Sequence, residues 1–511
     1  MVLHLGRRSF LAMVGGASAI ATGSALLGRT AQLRSQASTG VPAQARLRSS
    51  GGRLDLELVA QETNVAIPGG PSRALTYNGL LPGPLLEAEP GDAVRIELVN
   101  RLSRPTNLHY HGLHISPGGS ADNVFVSVAP GASHSYAFTL PADHPAGTFY
   151  YHPHRHGTVA DQVFGGLGGV FIVRGALDQI PEVRAAEEQV LFLKDLPGEA
   201  GSSPMGMGMM LGREGAVLTV NGQVNPALTI PSGGLLRLRI VNASNARFWR
   251  LALEDHPFHL IATDGGAIEA PVELSELLLA PGERAEVLVR GERQGGRYRL
   301  LNLPYARGAG GMMGGRGSRM GMGMGMGMGR GMGMGMGMGM GMGRGRMGSG
   351  FEQQAPVPIA TLNYAGSVTP LPLPERLLPV EPLPAPVRRR RFVLNHGMAP
   401  GLGMVFLING RAFDHGRTDT SVSLGDTEEW ELVNDGVMDH PFHVHINPFQ
   451  VISRNGTPEP WRAWRDVVLV RPGETVRVRT RFDDFAGRTV YHCHILDHEE
   501  LGMMGTLEIS A

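Results

Sequence analysis

The chain has 511 residues, enough at roughly 150 residues per domain for about three domains with cores of their own. Its 46 Lys+Arg balance its 46 Asp+Glu, which excludes nucleic-acid binding driven by global charge and a charged-tail protein. A single Cys excludes an internal disulfide, Cys-only zinc sites and Cys-ligated iron–sulfur clusters, so any metal chemistry must rest mostly on the 19 His. Gly (73) and Met (25) are in excess. Lys194 is the only lysine, which reads as genomic composition rather than mechanism.

The N-terminus reads as an address. Arg7-Arg8-Ser9-Phe10-Leu11 precedes a weakly apolar, uncharged stretch from Leu11 to Leu27, too short at 17 residues for the roughly 20 that span a bilayer. Twin Arg, Phe-Leu and a mild apolar region predict a twin-arginine export signal, with an N-terminal membrane anchor as the other reading. Residues 1–45 are therefore set apart from the fold, and a periplasmic or extracellular location is expected.

After residue 50, alternating runs such as Ala93-Val94-Arg95-Ile96-Glu97-Leu98-Val99 are separated by Pro-Gly and Asn-Gly turns, which predicts strands throughout. A repeat is visible. Asn78-Gly79, Asn221-Gly222 and Asn409-Gly410 each read as opening a unit. Each is followed 21 to 25 residues later by the Asn of Val99-Asn100, Val241-Asn242 or Val433-Asn434, then by Pro130-Gly131, Pro281-Gly282 or Pro472-Gly473. Three related β-sandwiches are expected: residues 46–178, 179–365 with a Met/Gly-rich insertion at 308–350, and 391–511 after a Pro-rich linker at 366–390.

The unit ends carry the chemistry. Ala146-Gly147-Thr148-Phe149-Tyr150-Tyr151-His152-Pro153-His154 aligns without a gap on Ala486-Gly487-Arg488-Thr489-Val490-Tyr491-His492-Cys493-His494. The middle copy, Gly296-Arg297-Tyr298-Arg299-Leu300-Leu301-Asn302, has neither His nor Cys. His256 and His259 echo His440 and His443 and read as structural remnants.

Four clusters remain: His109-Tyr110-His111, His152-Pro153-His154, His440-Pro441-Phe442-His443-Val444-His445, and His492-Cys493-His494 with His498. In a strand, residues i and i+2 face one way and i+1 the other, so each His-x-His pair aims two imidazoles at one point. Four converging pairs exceed one mononuclear site and fit a cluster of ions; a closed structural zinc site needs only four ligands. The same alternation sends Cys493 to the opposite side, where it can meet His440 and His498, with Met503 as a weak axial ligand. Two His, one Cys and a distant Met are the ligand set of a blue-copper electron-transfer site.

These motifs resemble those of three-domain multicopper oxidases, in the bacterial laccase and cuprous-oxidase branch, from about residue 54 to the end. The resemblance implies three cupredoxin-like Greek-key sandwiches in an all-β chain and four copper ions. It implies a type 1 copper on His440, Cys493, His498 and Met503, and a type 2 copper on His109 and His443. It further implies one type 3 copper on His111, His152 and His494, and the other on His154, His445 and His492. Such enzymes take single electrons at the type 1 site and reduce O₂ to water at the three-copper cluster. Glu499 and Asp122 match acids implicated in delivering the protons. Tyr110 stands where Trp is usual and His445-Ile446-Asn447 where His-Gly is frequent; neither removes a ligand.

Met and Gly alternate almost perfectly from Met320 to Met342 within the tract at 308–350, and Met205-Gly206-Met207-Gly208-Met209-Met210 is a shorter relative; together the 308–350 tract and this run hold 18 of the 25 Met. Such a composition cannot form a packed core. It reads either as a passive insertion or as a handler of soft Cu(I), with Met320, Met322, Met324 and Met438 as candidate substrate-copper ligands. The resemblance also predicts an acidic residue four positions before His440; Gly436 stands there.

The expectation is an exported, monomeric oxidase of Cu(I) or phenolic donors, with a role in copper homeostasis and O₂ and the twin-arginine machinery as partners. A non-catalytic copper-sequestering protein and a metal-free cupredoxin scaffold are the rivals.

Overall fold

The computed structural model describes residues 45–198, 210–307, 355–399, 401 and 403–511. The expected export signal, Met320, Met322, Met324 and most of both Met-rich segments lie outside these residues.

Six sheets pair into three sandwiches. In the first, a four-stranded sheet faces a five-stranded one; in the second and third, a six-stranded sheet faces a five-stranded one. Strand periodicity produces the cores. In Ala93–Asn100, Val94, Ile96 and Leu98 are buried while Ala93 and Arg95 are exposed. Its counterpart Leu235–Asn242 in the middle sandwich is buried on both faces. Arg237 and Arg239 on that strand are tolerated because each is paired: Arg239 reaches Glu286 at 2.5 Å and Asp178 at 2.6 Å, and Arg237 reaches Glu286 at 2.6 Å. Thr148 of the first sandwich also donates to Glu286, at 2.7 Å, so this strand is the seam between the two.

The repeated residues perform one task in each copy. Asn78, Asn221 and Asn409 hold φ of 54°, 53° and 52°. Their side-chain oxygens accept from Val59, Phe192 and Val393 backbone N–H at 2.6, 2.8 and 2.8 Å. They therefore stand at the end of a hairpin within each sandwich, pinned to the earlier strand of that hairpin, rather than opening the unit. Asn100, Asn242 and Asn434 each donate twice to backbone carbonyls, Asn242 to Arg247 at 2.8 Å and Leu279 at 3.0 Å. The Pro-Gly turns then close on the same three residues: Gly131, Gly282 and Gly473 donate to the carbonyls of Asn100, Asn242 and Asn434 at 2.8, 3.0 and 2.9 Å.

Among the described residues no helix is long and apolar enough to cross a membrane. Helices are short and sit at sandwich junctions, as with Val159–Phe164 and Leu496–Glu500.

Asn242 is fully buried and also accepts from Ser244 N–H at 3.0 Å. Asn242→Ala leaves three buried backbone groups without partners, at about 1–3 kcal/mol each. The expected result is a lower denaturant midpoint of the metal-free chain by the equivalent of about 3 kcal/mol or more; an unchanged midpoint would refute this role.

Candidate metal centre

Two strand pairs carry the histidines. His109–His111 runs antiparallel to Gly147–His152, with His109 opposite His152 and His111 opposite Tyr150. His440–Val444 runs antiparallel to Gly487–Cys493, with His443 opposite His492 and Phe442 opposite Cys493. In the middle sandwich the equivalent pair sets Leu251 opposite Asn302 and carries no ligand type.

The histidine corners of the first and third sandwiches meet. His111 stacks on His443 with ring centres 3.9 Å apart, and His109 on His445 at 4.0 Å. The ten clustered histidines are at most 2% exposed, so no bulk water can complete their hydrogen bonds.

Three of their outer nitrogens are committed to neighbouring backbone carbonyls. His492 Nδ1 donates to the Cys493 carbonyl at 2.9 Å, His152 Nδ1 to the Pro153 carbonyl at 2.7 Å, and His443 Nδ1 to the Asp466 carbonyl at 2.8 Å. Each inner nitrogen then carries a lone pair. Burial also disfavours protonation, holding His492 near 4 and His152 near 3.

The inner nitrogens converge in sets. His492 Nε2 lies 3.0 Å from His154 Nε2 and 3.1 Å from His445 Nε2. His111 Nδ1 lies 3.5 Å from His152 Nε2, and His109 completes that group. His109 Nε2 and His443 Nε2 are buried without a partner. Imidazole nitrogens 2.0–2.1 Å from one ion are roughly 3.4 Å apart, so these sets fit metal cations. Lone pairs this close in a dry site repel unless a cation sits among them.

A second site lies on the other side of the strand. Cys493 Sγ is 3.5 Å from His440 Nδ1 and 3.7 Å from His498 Nδ1, and the two nitrogens are 3.3 Å apart. Burial pushes the Cys493 thiol well up, so a thiolate here requires a cation beside it. Met503 is fully buried in the same apolar cluster, and its carbonyl accepts from Cys493 N–H at 3.0 Å.

Both expected acids border the histidines. Asp122 lies 2.9 Å from His109 Nδ1 through either oxygen and accepts from Tyr110 N–H at 2.9 Å. Burial pushes its carboxyl up to about 8. Glu499 Oε2 is 3.2 Å from His492 Nδ1, and Oε1 is 3.8 Å from His154 Nδ1. Burial first, then Glu500, raises its carboxyl well above the usual range.

Some placements depart from expectation. His494 sits in the cluster, 4.9 Å from His111 and 5.6 Å from His152 between ring centres, but its Nε2 meets the Tyr150 hydroxyl at 3.0 Å. Met438 is buried in the apolar cluster around Cys493 rather than presented to solvent. His256 and His259 stand apart from the cluster, with His256 Nε2 on the Tyr364 hydroxyl at 2.8 Å.

Four contributors escaped sequence reading: Asp466, Arg284, Tyr150 and Met210. Tyr150 stacks on both His111 and His152, at 4.5 and 4.9 Å. His498 Nε2 donates to the Met210 carbonyl at 3.0 Å. The Pro281-Gly282-Glu283-Arg284 run was visible only as a turn before a strand.

Family models described as multicopper oxidase match residues 59–177, 194–312 and 385–511. The chain is 28% identical to the multicopper oxidase mco of Staphylococcus epidermidis, over 86% of this chain and 84% of that protein. It is 29% identical to the cell division protein FtsP of Yersinia pestis, over 92% and 90%. The crystal structure of a multicopper oxidase from Campylobacter jejuni, titled a metallo-oxidase, superimposes with a TM-score of 0.75 at 30% identity, covering 92% of this chain and 94% of that one. With its three matched segments, its three sandwiches and the buried imidazole and thiol sets between and within them, the chain belongs to the multicopper oxidase family.

Proposed function

We propose that this chain is a working oxidase that couples one-electron oxidation of Cu(I) or phenolic donors to four-electron reduction of O₂ to water. The observation that carries the reading is the intact pair of ligand sets joined by Cys493 and its two neighbours. A scaffold or a sequestering protein has no need to bury so many lone-pair nitrogens in one dry gap. His440, Cys493, His498 and Met503 would hold the type 1 copper, and His109 with His443 the type 2 copper. His111, His152 and His494 would hold one type 3 copper, and His154, His445 and His492 the other. Copper would supply one-electron oxidation at the sulfur-bearing site and oxygen reduction at the cluster.

The protein's own part follows from its side chains. Cys493 lies between His492 and His494 in sequence, so main chain alone connects the two ligand sets. Both Glu499 oxygens are buried without a hydrogen-bond partner, which suits a neutral acid that carries protons to the cluster. Asp122 orients His109 from behind and is the second proton carrier. A cavity of about 110 Å³ borders His154, His156, His415 and Met504 and gives a small molecule an approach to the cluster.

The described end of the short Met-rich run reaches the type 1 side. Met210 ends the short Met-rich run, and its carbonyl accepts the outer proton of His498. Arg307, the last described residue before the long tract, donates to the Leu211 carbonyl and pairs with Glu214 at 2.9 Å. Both Met-rich segments therefore depart from the neighbourhood of His498, which supports Cu(I) as a substrate. We also propose twin-arginine export, on Arg7-Arg8 and the stretch that follows.

Copper-loaded wild type is expected to be intensely blue with about four coppers per chain, and Cys493→Ser to lose colour and turnover while its circular dichroism is unchanged. One copper per chain would remove the cluster assignment. Glu499→Gln is expected to slow oxygen consumption by about 10²-fold with the blue absorption retained. Deleting residues 308–350 is expected to depress Cu(I) oxidation more than phenol oxidation; equal losses would make the tract passive.

A further inference from the structure

Among the described residues the middle sandwich supplies no histidine to the cluster, yet one of its side chains reaches it. We propose that Arg284 is a positioning residue that fixes His111 and His443 for metal through Asp466; the proposal rests on the oxidase reading above.

Arg284 is fully buried. Its five N–H groups meet five acceptors drawn from all three sandwiches. Nε donates to the Thr148 carbonyl of the first sandwich at 3.1 Å. Nη1 donates to the Gly282 carbonyl at 3.2 Å, and Nη2 to the Asp264 carbonyl at 2.8 Å, both in the middle sandwich. Nη1 and Nη2 then grip the two Asp466 oxygens of the third sandwich, each at 2.6 Å. Such a planar fork matches a carboxylate in a way that an ammonium cannot.

Asp466 passes this constraint to two histidines. Its Oδ1 accepts from His111 Nε2 at 2.9 Å, and its carbonyl accepts from His443 Nδ1 at 2.8 Å. His111 is thereby set to present Nδ1 and His443 to present Nε2. These two rings, stacked at 3.9 Å, come from different sandwiches. Asp264 holds the other side of the assembly, accepting from Arg284 N–H at 2.7 Å and approaching Asp466 and Val467 N–H at 3.4 and 3.3 Å. The space is cut to fit. A Cβ on Gly112, the residue after His111, would lie 2.1 Å from Arg284 Nη2 and 2.6 Å from Asp466 Oδ2.

Groups that orient the far nitrogen of a metal-bound histidine contribute about 10–100-fold in metal affinity or activity. The type 1 ligands are not among the partners of Arg284, so that site is an internal control. The experiment compares full-length wild type, Arg284→Met, Arg284→Lys and Asp466→Asn. Readouts are copper per chain, the blue absorption, the type 2 resonance in paramagnetic spectra and, in the metal-free chain, the ring-nitrogen tautomer of His111 by NMR.

The proposal expects Arg284→Met and Asp466→Asn to keep the blue absorption, to bind cluster copper about 10–100-fold more weakly and to lose the single His111 tautomer. Arg284→Lys should recover part of the cluster copper. Normal cluster copper and an unchanged His111 tautomer in Arg284→Met would overturn it. So would loss of blue absorption and cluster copper together in all three variants, which would make Arg284 a general folding clamp. A wild type that binds only type 1 copper would instead fail the oxidase reading, while the tautomer comparison would still decide the role of Arg284.

Discussion

Eight imidazoles packed into a dry gap are the constraint on which the rest of this structure depends. Each ring commits one nitrogen at most to a protein acceptor, and the nitrogens left over point at one another. His154 and His445 each bring Nε2 within 3.1 Å of His492 Nε2, where at most one shared proton could help. Without a cation this arrangement costs desolvation with little return. The fold must therefore clamp it from outside, and the clamp is visible as backbone carbonyls of Pro153, Cys493 and Asp466 behind the rings.

That clamp explains why three sandwiches are kept when only two carry ligands. The first and third supply the histidine corners. The middle one contributes paired charge: Arg237 and Arg239 with Glu286 and Asp178 against the first, and Arg284 with Asp466 against the third. Buried pairs of this kind add little net stability but are costly to break, so they fix relative position. The middle copy has Leu301, Asn302 and Leu303 where the third has His492, Cys493 and His494, and its contribution is this paired charge.

The likeness to both an oxidase and a cell division protein shows that the triple sandwich by itself does not specify an activity. What separates the possibilities is local: the Cys493 thiol with two imidazoles within 3.7 Å, and the neutralised acid Glu499 behind His492. On the other side of the strand, His498 is capped by the Met210 carbonyl.

Local chemistry made much of this legible in the chain itself. Strand alternation alone sends His492 and His494 one way and Cys493 the other, and the Asn-Gly, Val-Asn and Pro-Gly triplets announced three copies, because each residue type performs a turn or a cap that only it can perform. Those interactions are short in sequence or tied to a regular period. Which nitrogen His111 offers, the pairing of His111 with His443, the meeting of Tyr150 and His494, and the grip of Arg284 on Asp466 span 182 to 355 positions and depend on how whole sandwiches abut. No periodicity encodes such a meeting, so only the tertiary structure could decide it. Arg284 and Met210 look like an ordinary strand residue and part of a low-complexity run until the packing brings them beside the clustered histidines and their partners.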